Sequence, residues 1–284
     1  MIILRLKGGI GNQMFQYSFG RTLALKYKTP LILDLSWYTR ADRKYALNTL
    51  NIKYNLKITN RFVMRAIKMI LKPKIFDDTN SVKDIAENAK KIIVVDGYWE
   101  KSKYFQDEKI NEILKKELSP KKTSDKFSRY VQEIDINNSI AVHVRRGDLL
   151  RDTDTWYVLS EKYFLNGIQT IVEKAQIKSP KIVIFSEDIE WCKEMLAGTI
   201  QRSDVTVFND AEISDFEQML LMSKYKYLVI SNSTYSWWSA FINKNYGKII
   251  VAPRRWRKDK IQSERVFNGI IMQNWIIKDD EPNI

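Results

Sequence analysis

Two adjacent arginines close an apolar run at Val142-His143-Val144-Arg145-Arg146-Gly147-Asp148, and His143 is the chain's only histidine. A guanidinium fork binds phosphate oxygens bidentately, so arginines at a strand end, with Gly147 permitting a turn, suit a phosphate clamp. Alternation in an extended segment puts His143 and Arg145 on one face and Val142 and Val144 on the other. The same residues also suit a plainer arrangement, an Arg–Asp148 surface pair beside a core histidine.

Three further loops carry residues of the right type. Lys7-Gly8-Gly9-Ile10-Gly11-Asn12-Gln13 joins an apolar run to a helical pattern. Its glycines let backbone N–H groups approach a ligand, the helix start favours an anion, and Asn12 and Gln13 add amide donors. It is neither a P-loop nor a dinucleotide fingerprint, and a tight turn before a helix explains it equally well. Phe185-Ser186-Glu187-Asp188 offers carboxylates to a base edge or to ribose hydroxyls, or simply a Ser186 cap with acids in the first helical turn. Ser231-Asn232-Ser233-Thr234-Tyr235-Ser236-Trp237-Trp238 puts hydroxyls and free N–H groups at another helix start, a second anion site or a cap followed by aromatic core packing.

The elements around these loops read as a strand–helix alternation. Strands are expected at Ile2–Leu6, Leu31–Asp34, Ile92–Val95, Ile140–Val144, Ile182–Phe185, Val205–Phe208, Tyr227–Ile230 and Ile249–Val251. Helices are expected from Asn12 to about Lys28 and near 103–117, 124–134, 160–175, 187–197, 214–223 and 235–244. Short Ile- and Val-rich runs between helices argue for parallel α/β sheets covered on both faces, with chemistry in the loops at the carboxyl ends of strands. The polar stretch around Ser119–Asp125 and the Asn137-Asn138-Ser139 turn are candidate breaks, and the expected division is 1–137 and 138–284.

The chain has 284 residues, 44% hydrophobic and 29% charged, a globular composition that excludes disorder and fibres. No apolar run is long enough to span a membrane, and the N-terminus MIILRLKGG is not read as a signal peptide. The single cysteine, Cys192, forms no internal disulfide, and neither cysteine nor histidine clusters to hold a metal, which points to a reducing cytoplasm. The net charge of +13 is lopsided: residues 1–137 hold 27 basic side chains against 15 acidic ones. Such a half attracts polyanions, although no nucleic-acid motif accompanies it, so nucleic acid is not an expected partner.

Taken together, GGIGNQMFQYSFGRTLALK (8–26), DGYWEKSKYF (96–105), HVRRGD (143–148), FSEDIEWCK (185–193), the block from Asp215 to Asn243 containing NSTYSWW, and VAPRRW (251–256) resemble the alpha-1,2-fucosyltransferases of glycosyltransferase family 11. The resemblance runs in order over most of the chain and is weakest at 35–90. Glu100 stands where that family usually has glutamine, and Leu149 where an aromatic is common. The resemblance implies a GT-B-like α/β fold of two Rossmann-like lobes with a cleft between them, acceptor side in 1–137 and donor side in 138–284. It implies GDP-β-L-fucose as donor substrate, inversion at the anomeric carbon, no cofactor and no metal. Arg145 is then expected on the β-phosphate and His143 orienting that site. Asp188 should meet the guanine edge, and Ser233 and Thr234 the diphosphate. Asn12, with Gly11, should approach the donor from the facing lobe. Arg146, on the opposite face by alternation, is expected in a supporting pair with Asp148, and Asp148 and His143 are the candidates for a catalytic base.

The implied reaction is α-1,2 transfer to a terminal β-galactoside in bacterial O-antigen or another surface glycan. A different fucosyl linkage, or a non-catalytic glycan- or polyanion-binding protein, remain alternatives. In Asn60–Pro73 the cations Arg61, Arg65, Lys68 and Lys72 recur at steps of four, three and four. That pattern suits a core helix with its basic stripe in solvent, or an interfacial helix resting on the anionic inner membrane leaflet near a lipid-linked acceptor.

Overall fold

The computed structural model describes residues 1–196, 204–208 and 210–280, and its chain divides into two compact units, Met1–Lys122 and Thr123–Ile284. The first contains β1 (Ile2–Arg5), α1 (Ile10–Tyr27), β2 (Leu31–Asp34), β3 (Leu56–Ile58), α2 (Arg61–Leu71), β4 (Lys74–Phe76), α3 (Val82–Asn88), β5 (Ile93–Val95) and α4 (Glu108–Glu117). Its parallel sheet runs in the order β3-β2-β1-β5-β4. The central strands are apolar up to Arg5 and Asp34, the last residues of β1 and β2, because helices cover both faces. Ile3, Ile32, Ile58 and Val94 pack with Met64 of α2 on one of those faces. Gly20 brings α1 close to the sheet, since a Cβ there would stand 2.7 Å from the Leu4 side chain. The end of α4 is fastened to α1 by Glu117, which pairs with Arg21 (2.7 Å) and accepts a 2.5 Å hydrogen bond from the Tyr17 hydroxyl.

The second unit contains α5 (Asp125–Gln132), β6 (Ser139–Val144), α6 (Glu161–Ala175), β7 (Lys181–Ser186), α7 (Ile189–Leu196), β8 (Asp204–Phe208), α8 (Asp215–Met222), β9 (Tyr227–Val229), α9 (Thr234–Ile242), β10 (Ile249–Pro253), α10 (Lys260–Ile270) and β11 (Ile276–Lys278). Its parallel sheet has the order β11-β10-β9-β6-β7-β8. This is the doubly wound order, in which the chain works outward from β6 through β7 to β8, then returns to β9 on the other side. Ligands of such sheets bind outside the carboxyl ends of the strands where the order reverses, here between β6 and β9. Alternate residues of β6 serve two cores: Ile140, Val142 and Val144 face one layer with Tyr163 and Ile171 of α6, and Ala141 faces the other with Phe185 and Leu228.

All eight expected strands are present within two residues of their expected ends, but β3, β4 and β11, each of three residues, escaped the sequence pattern, as did α3 and α10. The units divide between Lys122 and Thr123, ahead of the break expected at residue 137. The reason is α5. Its Phe127 belongs to the second unit's core, and Glu217 of α8 accepts the Ser124 N–H at 2.6 Å while also closing a capping box with Ser214. Among the described residues no helix is long and apolar enough to cross a membrane.

Candidate functional site

At the β6/β9 reversal the chain places a buried histidine, two arginines and a hydroxyl-rich helix start. β6 runs into the arginine turn, and the Ser231–Ser233 segment leaves β9 to enter α9, with Ser233 capping the Tyr235 N–H at 3.3 Å. His143 is buried, with Nδ1 2.6 Å from Ser231 Oγ and its ring 5.4 Å from that of Tyr235. Burial, helped by the nearby Arg145 guanidinium, lowers its pKa to about 3. The imidazole is therefore neutral at neutral pH, suited to hydrogen bonding and poorly suited to holding a proton.

Arg145 lies in a fork with Asp148 (Nε–Oδ1 3.0 Å, Nη2–Oδ2 2.7 Å), and its third nitrogen reaches Ser233 Oγ at 3.4 Å. Both the ion pair and the core histidine of the plainer reading are thus present, yet the pair leaves Arg145 directed at the start of α9. Arg146 turns the other way. Its expected partner Asp148 is taken by Arg145, and it pairs instead with Asp188 at 3.1 Å and stacks over Trp191 with 4.1 Å to the ring centroid. The parallel register that sets Val144 opposite Ser186 brings this partner in from β7. Asp188, expected at a guanine edge, accordingly carries Arg146 on one oxygen and the Trp191 N–H, at 3.4 Å, on the other.

Glu187, read in the sequence only as one of two carboxylates for a base edge, ribose or a helix start, instead has its Oε1 accept the backbone N–H groups of Arg146 (3.2 Å) and Gly147 (2.9 Å) and so fixes the arginine turn. A Cβ on Gly147 would stand 3.0 Å from that carboxylate side chain. Asn232 is a second omission: its Nδ2 donates to the carbonyls of Tyr157 (2.6 Å) and Trp256 (3.2 Å), while its buried Oδ1 has no hydrogen-bond partner among the described residues. Trp156 lies beneath Arg145 (5.6 Å to the centroid) and Arg257 (3.7 Å). The signal for that third arginine was the basic run Arg254-Arg255-Trp256-Arg257 after an apolar strand. Leu149, at the family's aromatic position, is fully buried.

The structure brings His143, Arg145, Asp148, Asp188, Ser233 and Thr234 to one edge of the second unit's sheet. Gly11 and Asn12 belong to the first unit, in the opening turn of α1. There Gly8 has φ +77° and an added Cβ would come within 2.7 Å of Asn12 Nδ2, so the loop needs glycine on both counts. Gln13, expected as an anion donor, is committed elsewhere: its amide bridges the carbonyls of Gly8 and Lys44 (both 3.0 Å) and accepts the Ala46 N–H at 2.9 Å.

Comparison with known proteins bears on the family and the fold. The chain matches glycosyl transferase family 11 over residues 1–279. It is 33% identical over 278 residues to an alpha-1,2-colitosyltransferase of Escherichia coli, covering 90% of this chain and 92% of that one. To the O-antigen biosynthesis glycosyltransferase WbnK of Escherichia coli it is 29% identical over 310 residues, 95% of this chain and 98% of that one. Among solved structures, an Arabidopsis thaliana FUT1 variant in complex with GDP superposes with a TM-score of 0.55 at 11% identity, over 85% of this chain and 68% of that one. That likeness is one of fold, two Rossmann-like units of the GT-B type. The chain belongs to glycosyl transferase family 11.

Proposed function

We propose that this family 11 glycosyltransferase moves L-fucose from GDP-β-L-fucose, with inversion, to the 2-hydroxyl of a terminal galactoside during assembly of a bacterial surface glycan. The observation that carries the reading is the convergence of Arg145 and Ser233 at the β6/β9 reversal, beside the first turn of α9. A departing GDP develops negative charge on its β-phosphate, and a fixed guanidinium with helix-start N–H groups offsets that charge without reorganising. Arg145 takes the β-phosphate in this scheme, Ser233 and Thr234 donate to the diphosphate, and neutral His143 holds Ser231 beside it. Asp188 meets the nucleoside through whichever lone pairs Arg146 and Trp191 leave open. Asp148 is the better candidate for acceptor-side base, because a histidine with a pKa near 3 gains little by taking a proton.

The alpha-1,2 linkage and the surface-glycan role are supported by the names of the two Escherichia coli relatives. The first of them also favours a second donor, GDP-colitose, a sugar that differs from fucose only by lacking the 3-hydroxyl. Release of GDP should be measured from each nucleotide sugar with a panel of β-galactosides, with linkage determination on the product. Turnover of GDP-fucose to a 2-linked fucoside supports the first reading and preference for GDP-colitose the second. Binding of glycans with no GDP release from either donor would refute both.

A further inference from the structure

The first unit holds a cavity of about 480 Å³ at the carboxyl ends of β1 and β2, lined by Arg5, Trp37, Arg40, Arg61, Arg65 and Lys68, with Met64 at its back. No carboxylate is among its lining residues. Arg5 is braced by Asp34 and Asp96, but among the described residues no ion pair joins Arg40, Arg61, Arg65 or Lys68 to an acid. Burial, with the Arg5 guanidinium nearby, pulls Lys68 below its usual pKa, and the Asp96 and Asp34 carboxylates that hold Arg5 only partly offset this.

Helix α2 divides its surface unusually. Arg61, Met64, Arg65 and Lys68, spaced by three and four, face the cavity. The next sector is Phe62, Val63, Ala66, Met69 and Ile70, and it is turned outward, with Phe62, Met69 and Ile70 exposed by 62%, 72% and 71%. The reading as a core helix with its basic stripe in solvent does not fit, because the stripe lies against a cavity and the apolar arc faces out. An exposed apolar sector beside a row of cations is the pattern of a helix that meets an amphiphile with an anionic head.

We propose that this cavity binds the phosphate or diphosphate head of a lipid, with the hydrocarbon lying along the apolar sector of α2. Guanidinium groups from the turn at Arg40 and from α2, joined by the Lys68 ammonium, match a multiply charged group with oxygens on several sides better than they match a single carboxylate. The volume exceeds one phosphate and admits a diphosphate. Identifying the lipid as the carrier of the acceptor glycan rests on the transfer reaction proposed above, whereas the binding itself does not.

Two measurements on the full-length chain test this, both with GDP at saturation so that the donor site is filled. Calorimetric titration with inorganic pyrophosphate should show binding that weakens with salt and falls by about tenfold or more in Arg61→Gln/Arg65→Gln/Lys68→Gln. The single exposed change Arg65→Gln, which leaves the fold untouched, should give a smaller loss in the same direction. Flotation should carry the chain with phosphatidylcholine vesicles containing phosphatidic acid and not with phosphatidylcholine alone. Met69→Ser/Ile70→Ser should lose flotation and keep pyrophosphate binding. No pyrophosphate binding, or binding that the triple substitution leaves unchanged, would overturn the cavity assignment. Pyrophosphate binding without flotation would overturn the lipid and leave a water-soluble phosphate as the occupant.

Discussion

In each sheet the first strand lies inside with a later strand on its other side, β5 beside β1 in the first unit and β9 beside β6 in the second, and each first strand carries or leads into an arginine paired with aspartate. Arg5 and Arg145 are equally accessible, with side chains 22% and 23% exposed. Their acids differ. Arg5 is held by Asp34, fully buried at the end of β2, and by Asp96 just past β5, which also takes Lys7 at 3.1 Å. Arg145 is held by Asp148, only three residues away and 36% exposed, and faces serine hydroxyls at the start of a helix. The first arrangement ties three strands together and cancels its own charge. The second orients a guanidinium while leaving donors around it, so an arginine at a strand end becomes a ligand group through its surroundings.

Exchanging the two roles by mutation gives the sharpest test. Arg145→Ala should reduce turnover about 30- to 1000-fold, the loss of roughly 2–4 kcal/mol of transition-state stabilisation, and weaken GDP binding, with little change in unfolding free energy. Arg146→Ala, which uncovers Trp191 and frees Asp188, should cost about tenfold or less. Near-native turnover by Arg145→Ala would remove the phosphate role from this edge. Arg5→Ala should do the reverse: it strands the buried Asp34 carboxylate and should lower stability by about 3 kcal/mol in urea unfolding. A stable but inactive Arg5→Ala protein would show that the first edge is more than structural.

Titration separates the units next, because the only histidine is in the second. His143 has a pKa of about 3 in the fold and near 6.5 when unfolded, so between those values only the unfolded chain takes up the proton. Its contribution is intact above about pH 6.5 and lost on acidification through that window, with a limiting slope of about 1.4 kcal/mol per pH unit. Urea unfolding of the wild type and His143→Gln at about pH 7 and about pH 5 should show a loss in the wild type that is much reduced in the variant. Equal losses would place the acid sensitivity in the carboxylates of either unit.

The second unit was the more legible in sequence for a physical reason. Its strands β6, β7, β8 and β10 run to five or six residues, long enough for Ile and Val runs to stand out, whereas β3 and β4 are three-residue strands with only Ile58 and Phe76 buried, and the equally short β11 was missed for the same reason. The loops at the β6/β9 reversal were visible because their glycines, arginines and hydroxyls lie next to strand ends. Partner choice was not: nearness in sequence suggested Asp148 for Arg146, and only the β6–β7 register supplies Asp188. Glu187 and Gln13 act on backbone groups, contacts that no spacing of side chains announces. In α2 the period of the cations was legible, but the direction they face depends on the cavity beside β1 and β2.

The smallest expected effect is that of metal removal, and it follows from how the acids of the second edge are used. A divalent cation beside a diphosphate needs carboxylates free to coordinate it. Asp148 has both oxygens on Arg145, Asp188 is shared between Arg146 and the start of α7, and Glu187 is occupied by two backbone N–H groups. In the exposed Asp152-Thr153-Asp154 stretch, Asp152 accepts the Thr155 N–H at 3.2 Å. Among the described residues no three His, Cys, Asp or Glu side chains gather where a metal would sit. Arg145 carries the positive charge in the proposed mechanism, so turnover should be unchanged in EDTA and at most weakly raised by Mg²⁺ or Mn²⁺. The sharper form uses Arg145→Ala. If a metal took over the missing guanidinium, Mn²⁺ would restore part of its activity, but with the neighbouring acids still bound to protein donors no rescue is expected. Loss of wild-type turnover in EDTA, reversed by Mn²⁺, would show that the β6/β9 edge works through a bound cation instead of its arginine.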